Sequence, residues 1–246
     1  MRQILLITDG CSNVGPSPVM AAAHARQEGI TVNVVGVLDY GTIGELGGFE
    51  IQEIAKAGGG LHQIVGTPQL ARTMQMMTRK TVVQTIQQAV NKEIQHILGG
   101  GTLEELPPDK RAQVVEVVDE LAETSSLQVA LLIDASASMK PKLGAVEEAI
   151  RDLMLSLKAR TGESRLSVFH FPGRGSGEDI VKDVDWTEDL DGARGLFGRL
   201  QMRGATPTGP ALLKVIDYYR YGTLEGNQSW QGSSGQEEGM LGDYVV

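Results

Sequence analysis

A single cysteine, Cys11, stands among 246 residues, so no internal disulfide can form and nothing in thiol usage points to an oxidising compartment. Basic charge is also short: 22 Lys and Arg against 31 Asp and Glu leave a formal charge of −9. A chain that acidic has no general attraction for a phosphate backbone or an anionic membrane surface, and no Lys/Arg run breaks the pattern. Neither nucleic acid nor membrane is an expected partner. Long apolar runs are missing as well. Nothing approaches the roughly 20 residues needed to span a bilayer, and Ile4 to Ile7 is too short for the apolar core of a signal peptide. The sequence therefore reads as that of a soluble, cytoplasmic protein. Cys11 follows Asp9 by two positions with no histidine close by in sequence, and a small buried or half-buried thiol is expected rather than a nucleophile.

What the sequence does have is alternation of short apolar runs with helical patterns. Residues 3–8 read as a strand buried on both faces, ended by Asp9-Gly10. Pro16 and Pro18 open an alanine-rich helix over roughly 18–28, closed by Gly29. Ile30 to Leu38 is a second strand, Phe49 to Ala57 a helix ended by three glycines, and Leu61 to Val65 a third strand. Such alternation predicts a parallel sheet with right-handed crossovers. Thr67-Pro68 reads as a helix cap followed by proline, and about thirty helical residues follow, striped by Leu70, Met74, Met77, Ile86, Val90, Ile94 and Ile97. Gly99-Gly100-Gly101 breaks that helix. Pro107-Pro108-Asp109 starts another, with Val114, Val115, Val117, Val118 and Leu121 as its apolar face. Residues 80–126 thus look like a helical hairpin joining two halves.

The second half opens with the strongest strand, Leu127 to Ile133, ending in Asp134-Ala-Ser136-Ala-Ser138. A helix over about 142–158 follows, then a strand at Arg165–Phe171, a turn at Gly173–Gly177, and a charged, hence edge, strand at Asp179–Trp186. Two further helices flank Gly204-Ala-Thr206-Pro-Thr208-Gly209. After Tyr221 the composition shifts to Gly, Ser, Gln and Glu, as in a flexible tail.

Asp9 and Asp134 each close an apolar strand, at the edge of a parallel sheet where ligands bind. Two carboxylates facing one crevice repel and are relieved by a cation. Ser136 and Ser138 add hydroxyls, and Thr206 can bring a third. Carboxylate and hydroxyl oxygens are hard donors that suit Mg²⁺ or Mn²⁺. The scattered histidines 24, 62, 96 and 170 and the lone cysteine give zinc little support. Read separately, each piece is equally a helix cap or a turn. Their joint occurrence favours a metal site built from Asp134, Ser136, Ser138, Thr206 and Asp9.

Asp134-x-Ser136-x-Ser138, the Thr206 loop and Thr8-Asp9-Gly10 resemble the three parts of the metal-ion-dependent adhesion site of von Willebrand factor type A domains. In that family the Asp-Gly strand comes last, whereas in this chain it comes first. The resemblance therefore implies a circularly permuted domain: residues 1–79 as the C-terminal half of the fold, 80–126 as connector, 127–221 as the N-terminal half and 222–246 as tail. It implies a doubly wound, mostly parallel, Rossmann-like α/β sheet with one antiparallel edge strand, closed within one chain or between two as a domain-swapped dimer. It also implies Ser136, Ser138 and Thr206 as direct metal ligands, Asp134 and Asp9 acting through water, and a last coordination position for a partner's Asp or Glu. Ala205 stands where many relatives have a second glycine.

The expected function is that of a non-catalytic, intracellular protein-binding module. By resemblance its partner could be a separate ATPase of the AAA+ class, since no Gly-x₄-Gly-Lys-Ser/Thr loop occurs in this chain. The enzymatic alternative is a Mg²⁺-dependent phosphatase or phosphoryl transferase with Asp134 as nucleophile. It lacks a second acid two positions on, where Ser136 stands, and Lys140 and Lys142 read as solvated lysines at a helix start. A scaffold with a decayed, metal-free site is a third class, but no ligand of the set is missing.

Overall fold

Ile4, Leu5, Leu6 and Ile7 are all fully buried, because the strand that carries them, β1 (Arg2–Thr8), lies in the middle of a sheet covered on both faces. The computed structural model describes residues 1–38, 45–97, 105–173, 178–189, 205–222 and 224. In chain order the remaining strands are β2 (Ile30–Leu38), β3 (Gly59–Gly66), β4 (Leu127–Asp134), β5 (Ser164–Phe171) and β6 (Val181–Thr187). They form one six-stranded sheet in the order β3-β2-β1-β4-β5-β6. All pairs are parallel except β5 with the edge strand β6. The chain has a doubly wound, Rossmann-like α/β fold.

The helices are α1 (Pro18–Gln27), α2 (Glu45–Ala57), α3 (Leu70–Ile97), α4 (Pro108–Thr124), α5 (Leu143–Lys158) and α6 (Thr208–Tyr221). Alternation along each strand sorts the core into two layers. Leu5, Ile7, Val129, Leu131 and Ile133 pack with residues of α3 and α5, whereas Ile4, Leu6, Ala130 and Leu132 pack with α1, α2 and α6. Each of the valine, leucine and isoleucine side chains among them, fully buried, contributes roughly 1.5–3 kcal/mol by leaving water.

The expected strands are present, and so are the expected helices that fall within the described residues, with corrections at their ends. α2 begins at Glu45, ahead of Phe49. Gly59 and Gly60, expected to end it, belong to β3, where a Cβ on Gly60 would fall 2.2 Å from the Val32 carbonyl oxygen. Thr67 is not a cap. A 3-10 turn spans Thr67–Gln69 with Gly66 at its cap position, and no side chain caps it. α3 runs without a break across residue 80, where the connector was expected to begin, and Leu70, Met74, Met77 and Val82 on it lie in the core against the sheet. On α4 the buried residues are Val118 and Ala122, while Val115, Val117 and Leu121 are 52%, 48% and 39% exposed. Its valine stripe is wider than the face α3 covers.

The glycine break at 99–101, most of the turn at 173–177, the helix expected ahead of Gly204 and nearly all of the tail lie outside the described residues. No described helix is long and apolar enough to cross a membrane.

Under α3 lies a polar knot. Asn33, fully buried on β2, accepts at Oδ1 from the Leu61 N–H and the Thr81 hydroxyl, each at 2.9 Å. Its Nδ2 donates to Gln3 Oε1 at 3.3 Å, and Gln3 Nε2 donates to the Thr78 carbonyl at 3.4 Å. One side chain thereby ties β2 to β1, β3 and α3.

Candidate metal centre

β1 and β4 are the two central strands, and the chain leaves them in opposite directions, β1 toward β2 and β4 toward β5. The crevice beyond their carboxyl ends is the topological switch point. The register Arg2↔Gln128 continues to Ile7↔Ile133, so Thr8 and Asp134 end the two strands side by side. Thr8 Oγ1 donates to Asp134 Oδ2 at 2.8 Å, and the Ser136 N–H donates to Asp134 Oδ1 at 2.8 Å. Asp134 is completely buried. Burial pushes its carboxyl above the usual aspartate range; the hydrogen bonds from Ser136 and Thr8 oppose that rise, and the charge of Asp9 adds to it.

Asp9 follows β1 directly. Its Oδ1 accepts from the Ser138 hydroxyl at 2.9 Å, and the Ser138 and Ser136 hydroxyl oxygens lie 3.2 Å apart. The first and last of the three motifs, 129 residues apart, therefore meet in one chain. The third motif is brought up by Asn13. Its side-chain oxygen accepts from the Thr206 N–H at 2.8 Å, and its own N–H donates to the Thr206 carbonyl at 3.2 Å. Gly209 makes this approach possible, because a Cβ there would fall 1.9 Å from the Pro16 carbonyl oxygen. Thr206 is buried at the start of the α6 region, next to the loop that follows Asp9.

The sequence reading missed Asn13 and misjudged Lys142. Lys142 is not a solvated lysine: it is 8% exposed, and its ammonium pairs with Asp9 Oδ2. The cause is local. Ala137–Lys142 is a 3-10 turn, not the first turn of an α-helix. At three residues per turn, positions 136, 139 and 142 eclipse one another. Ser136, Met139 and Lys142 are accordingly all buried, while Ala137, Ser138 and Lys140 are exposed. Spacing of three from Ser136 was the available signal, but it is legible only once the turn type is known.

Cys11 is exposed, contrary to the buried or half-buried thiol expected. What burial it has, then the charge of Glu50 and a hydrogen bond to it, raise the thiol above its ordinary pKa. That disfavours the thiolate and leaves Cys11 a poor nucleophile at neutral pH. Glu50 also accepts from the Ser12 N–H at 2.8 Å, anchoring the loop between β1 and α1 to α2. His170 is spoken for by Asp183, with Nδ1 and Oδ2 2.7 Å apart between β5 and β6.

No group of three or more His, Cys, Asp or Glu side chains that could hold a metal occurs among the described residues. The convergent set is instead hydroxyls with two carboxylates, all hard oxygen donors. Neighbouring ligands of an octahedral Mg²⁺ at 2.0–2.1 Å stand about 2.9–3.0 Å apart. The 3.2 Å spacing of the Ser136 and Ser138 hydroxyl oxygens is compatible with that shell, and equally with a hydrogen bond between them. Hard oxygen donors of this kind are the type a small divalent cation takes.

No family model matches the chain. Proximal thread matrix protein 1 from the mussel byssus, solved with a zinc-occupied MIDAS motif, aligns at 14% identity over 92% of this chain and 48% of its own, with a TM-score of only 0.28. The crystal structure of an uncharacterized protein from Alicyclobacillus acidocaldarius subsp. acidocaldarius DSM 446 superposes with a TM-score of 0.84. It is 44% identical and covers 89% of this chain and 94% of its own. Uncharacterized protein YabS of Bacillus subtilis (strain 168) is 48% identical over 213 residues, 86% of either chain. The chain thus belongs to the same protein family as YabS.

Proposed function

We propose that the chain is a non-catalytic protein-binding module of von Willebrand factor type A kind, circularly permuted, which engages an acidic side chain of a partner through a Mg²⁺-type cation. One observation carries the reading. The Ser138 hydroxyl meets the Asp9 carboxylate at the switch point, uniting motifs from opposite ends of the sequence. Sheet order does not distinguish permuted from unpermuted. Counted from β1 or from β4, the strands read 3-2-1-4-5-6 either way, so the permutation rests on motif order alone.

Ser136, Ser138 and Thr206 would hold the cation directly, with Asp134 and Asp9 behind them through water. The cation supplies a Lewis-acidic position for an incoming carboxylate. Asp134 orients Ser136 by accepting its N–H, Thr8 fixes the other Asp134 oxygen, and Asn13 ties Thr206 to the loop that follows Asp9. The same arrangement disfavours phosphoryl transfer through Asp134. A nucleophile needs an accessible lone pair, and this carboxylate is completely buried with each oxygen accepting a hydrogen bond.

The reading is tested by capturing partners from the native cell with wild type and Ser138→Ala, in Mg²⁺ and in chelator. A partner held by wild type in Mg²⁺, and lost in chelator or with Ser138→Ala, is expected. Capture indifferent to both conditions would end the reading.

A further inference from the structure

Lys142 is a buried cation that the metal reading leaves without a task. Its side chain is 10% exposed and that of its partner Asp9 5%. Asp9 divides its two oxygens, Oδ1 to the Ser138 hydroxyl and Oδ2 to the Lys142 ammonium. The lysine thus sits against the carboxylate that would stand behind a bound cation.

The charges decide what it does there. With Asp9, Asp134 and Lys142 all ionised, the crevice carries a net charge of −1. A divalent cation takes it to +1, and a partner's carboxylate returns it to zero. Without the lysine the same three states carry −2, 0 and −1. In so poorly solvated a place the state nearest neutrality is the favoured one. The lysine therefore shifts preference from the state with cation alone to the state with cation and carboxylate together.

We propose that Lys142 is the site's resident counter-ion, which weakens binding of the cation alone and couples cation loading to arrival of an acidic ligand. This rests on the metal reading above and adds a regulatory property to it. In the free chain Lys142 holds Asp9 in place. On loading, the +2 ion competes with the ammonium for Asp9, and a second anion is what lets both cations stay. The cation alone is then bound more weakly than cation and partner together, by positive thermodynamic coupling between the two ligands.

The test is calorimetric titration with Mn²⁺ alone, in chloride and in acetate as the carboxylate probe. Wild type binds Mn²⁺ weakly in chloride and several-fold more tightly in acetate. Lys142→Met binds Mn²⁺ alone about tenfold or more tightly than wild type, and acetate no longer helps. Lys142→Gln, which keeps a donor toward Asp9, serves as a second variant should the methionine disturb folding, and behaves the same way. Lys140→Met makes an identical change in net charge from an exposed position on the same turn, and stays within about twofold of wild type. Equal Mn²⁺ affinity in wild type and both Lys142 variants overturns the counter-ion role and leaves the metal reading standing. Absence of Mn²⁺ binding in every variant, acetate included, overturns both.

Discussion

Asp134→Asn melts at least as high as the wild-type chain in chelator, and gains nothing from Mg²⁺. The first half follows from burial. Because burial raises the folded pKa of Asp134 above its unfolded value, the ionised carboxylate costs stability at neutral pH, and that cost fades as pH falls through the folded pKa. Asparagine removes the charge while keeping the shape. Its Oδ1 still accepts from the Ser136 N–H, and its Nδ2 can donate to the Thr8 hydroxyl, which accepts as well as it donates. The second half follows from linkage. A cation that binds only the folded chain stabilises it by about 2.7 kcal/mol at a hundredfold excess over Kd, a rise of about 5–10 °C for a chain of this size. The variant lacks the negative charge that draws the cation in. Differential scanning calorimetry of both proteins, in chelator and in Mg²⁺, reads the two halves together. A variant that still rises with Mg²⁺ would show that Asp134 is no part of the centre.

The largest loss of stability falls far from that centre, at Asn33. Asn33→Ala leaves three groups behind: the Leu61 N–H, the Thr81 hydroxyl and Gln3 Oε1. All surround a position with no exposure, where no water replaces the lost partner unless the cavity admits one. Each orphaned buried donor or acceptor costs about 1–3 kcal/mol, and the cavity adds to it. The expected destabilisation is about 3–5 kcal/mol by urea or thermal unfolding. Thr85→Ala is the control. Its hydroxyl bonds the Thr81 carbonyl at 2.8 Å within the same helix, at a half-buried site, and should cost under about 1 kcal/mol. If the two variants lose the same amount, the knot under α3 is not a structural tie.

Much of this was legible in the sequence because the signals are local. Continuous apolar runs marked β1, β2 and β4, and a run buried on both faces has little freedom to be anything but a central strand. Asp9 and Asp134 stood out by the same logic, as acids that end such runs. The misses share one cause, which is that their partners are distant or depend on turn geometry. Asn13 is an ordinary loop asparagine until Thr206, 193 residues away, is folded against it. Lys142 looks solvated under α-helical spacing and buried under 3-10 spacing. Pro141 inside that turn was a hint, since proline interferes with α-helical hydrogen bonding. The valines of α4 were over-read: their pattern names a face, but burial depends on how much of it α3 covers. Asn33 lies in a valine-rich strand and drew no attention, because one polar residue in such a run carries no sign of what it bonds.

The seam between β1 and β4 also has a kinetic consequence. Pairs within a half are close in sequence, 28 residues apart for Arg2↔Ile30 and 37 for Leu127↔Ser164. Arg2↔Gln128 spans 126 residues, and it is along this pair of strands that the two halves of the sheet join. Closing the longer loop costs about 1.3 kcal/mol more than closing one of 28 residues. Each three-strand half can therefore organise early, with the seam, and the carboxylates at its end, completed late. An ion bound across that seam contributes nothing to the folding barrier and must be released for unfolding. In stopped-flow measurements Mg²⁺ should slow unfolding in proportion to its stabilisation and leave the refolding rate unchanged. Faster refolding in Mg²⁺ would mean that the seam forms before the rest.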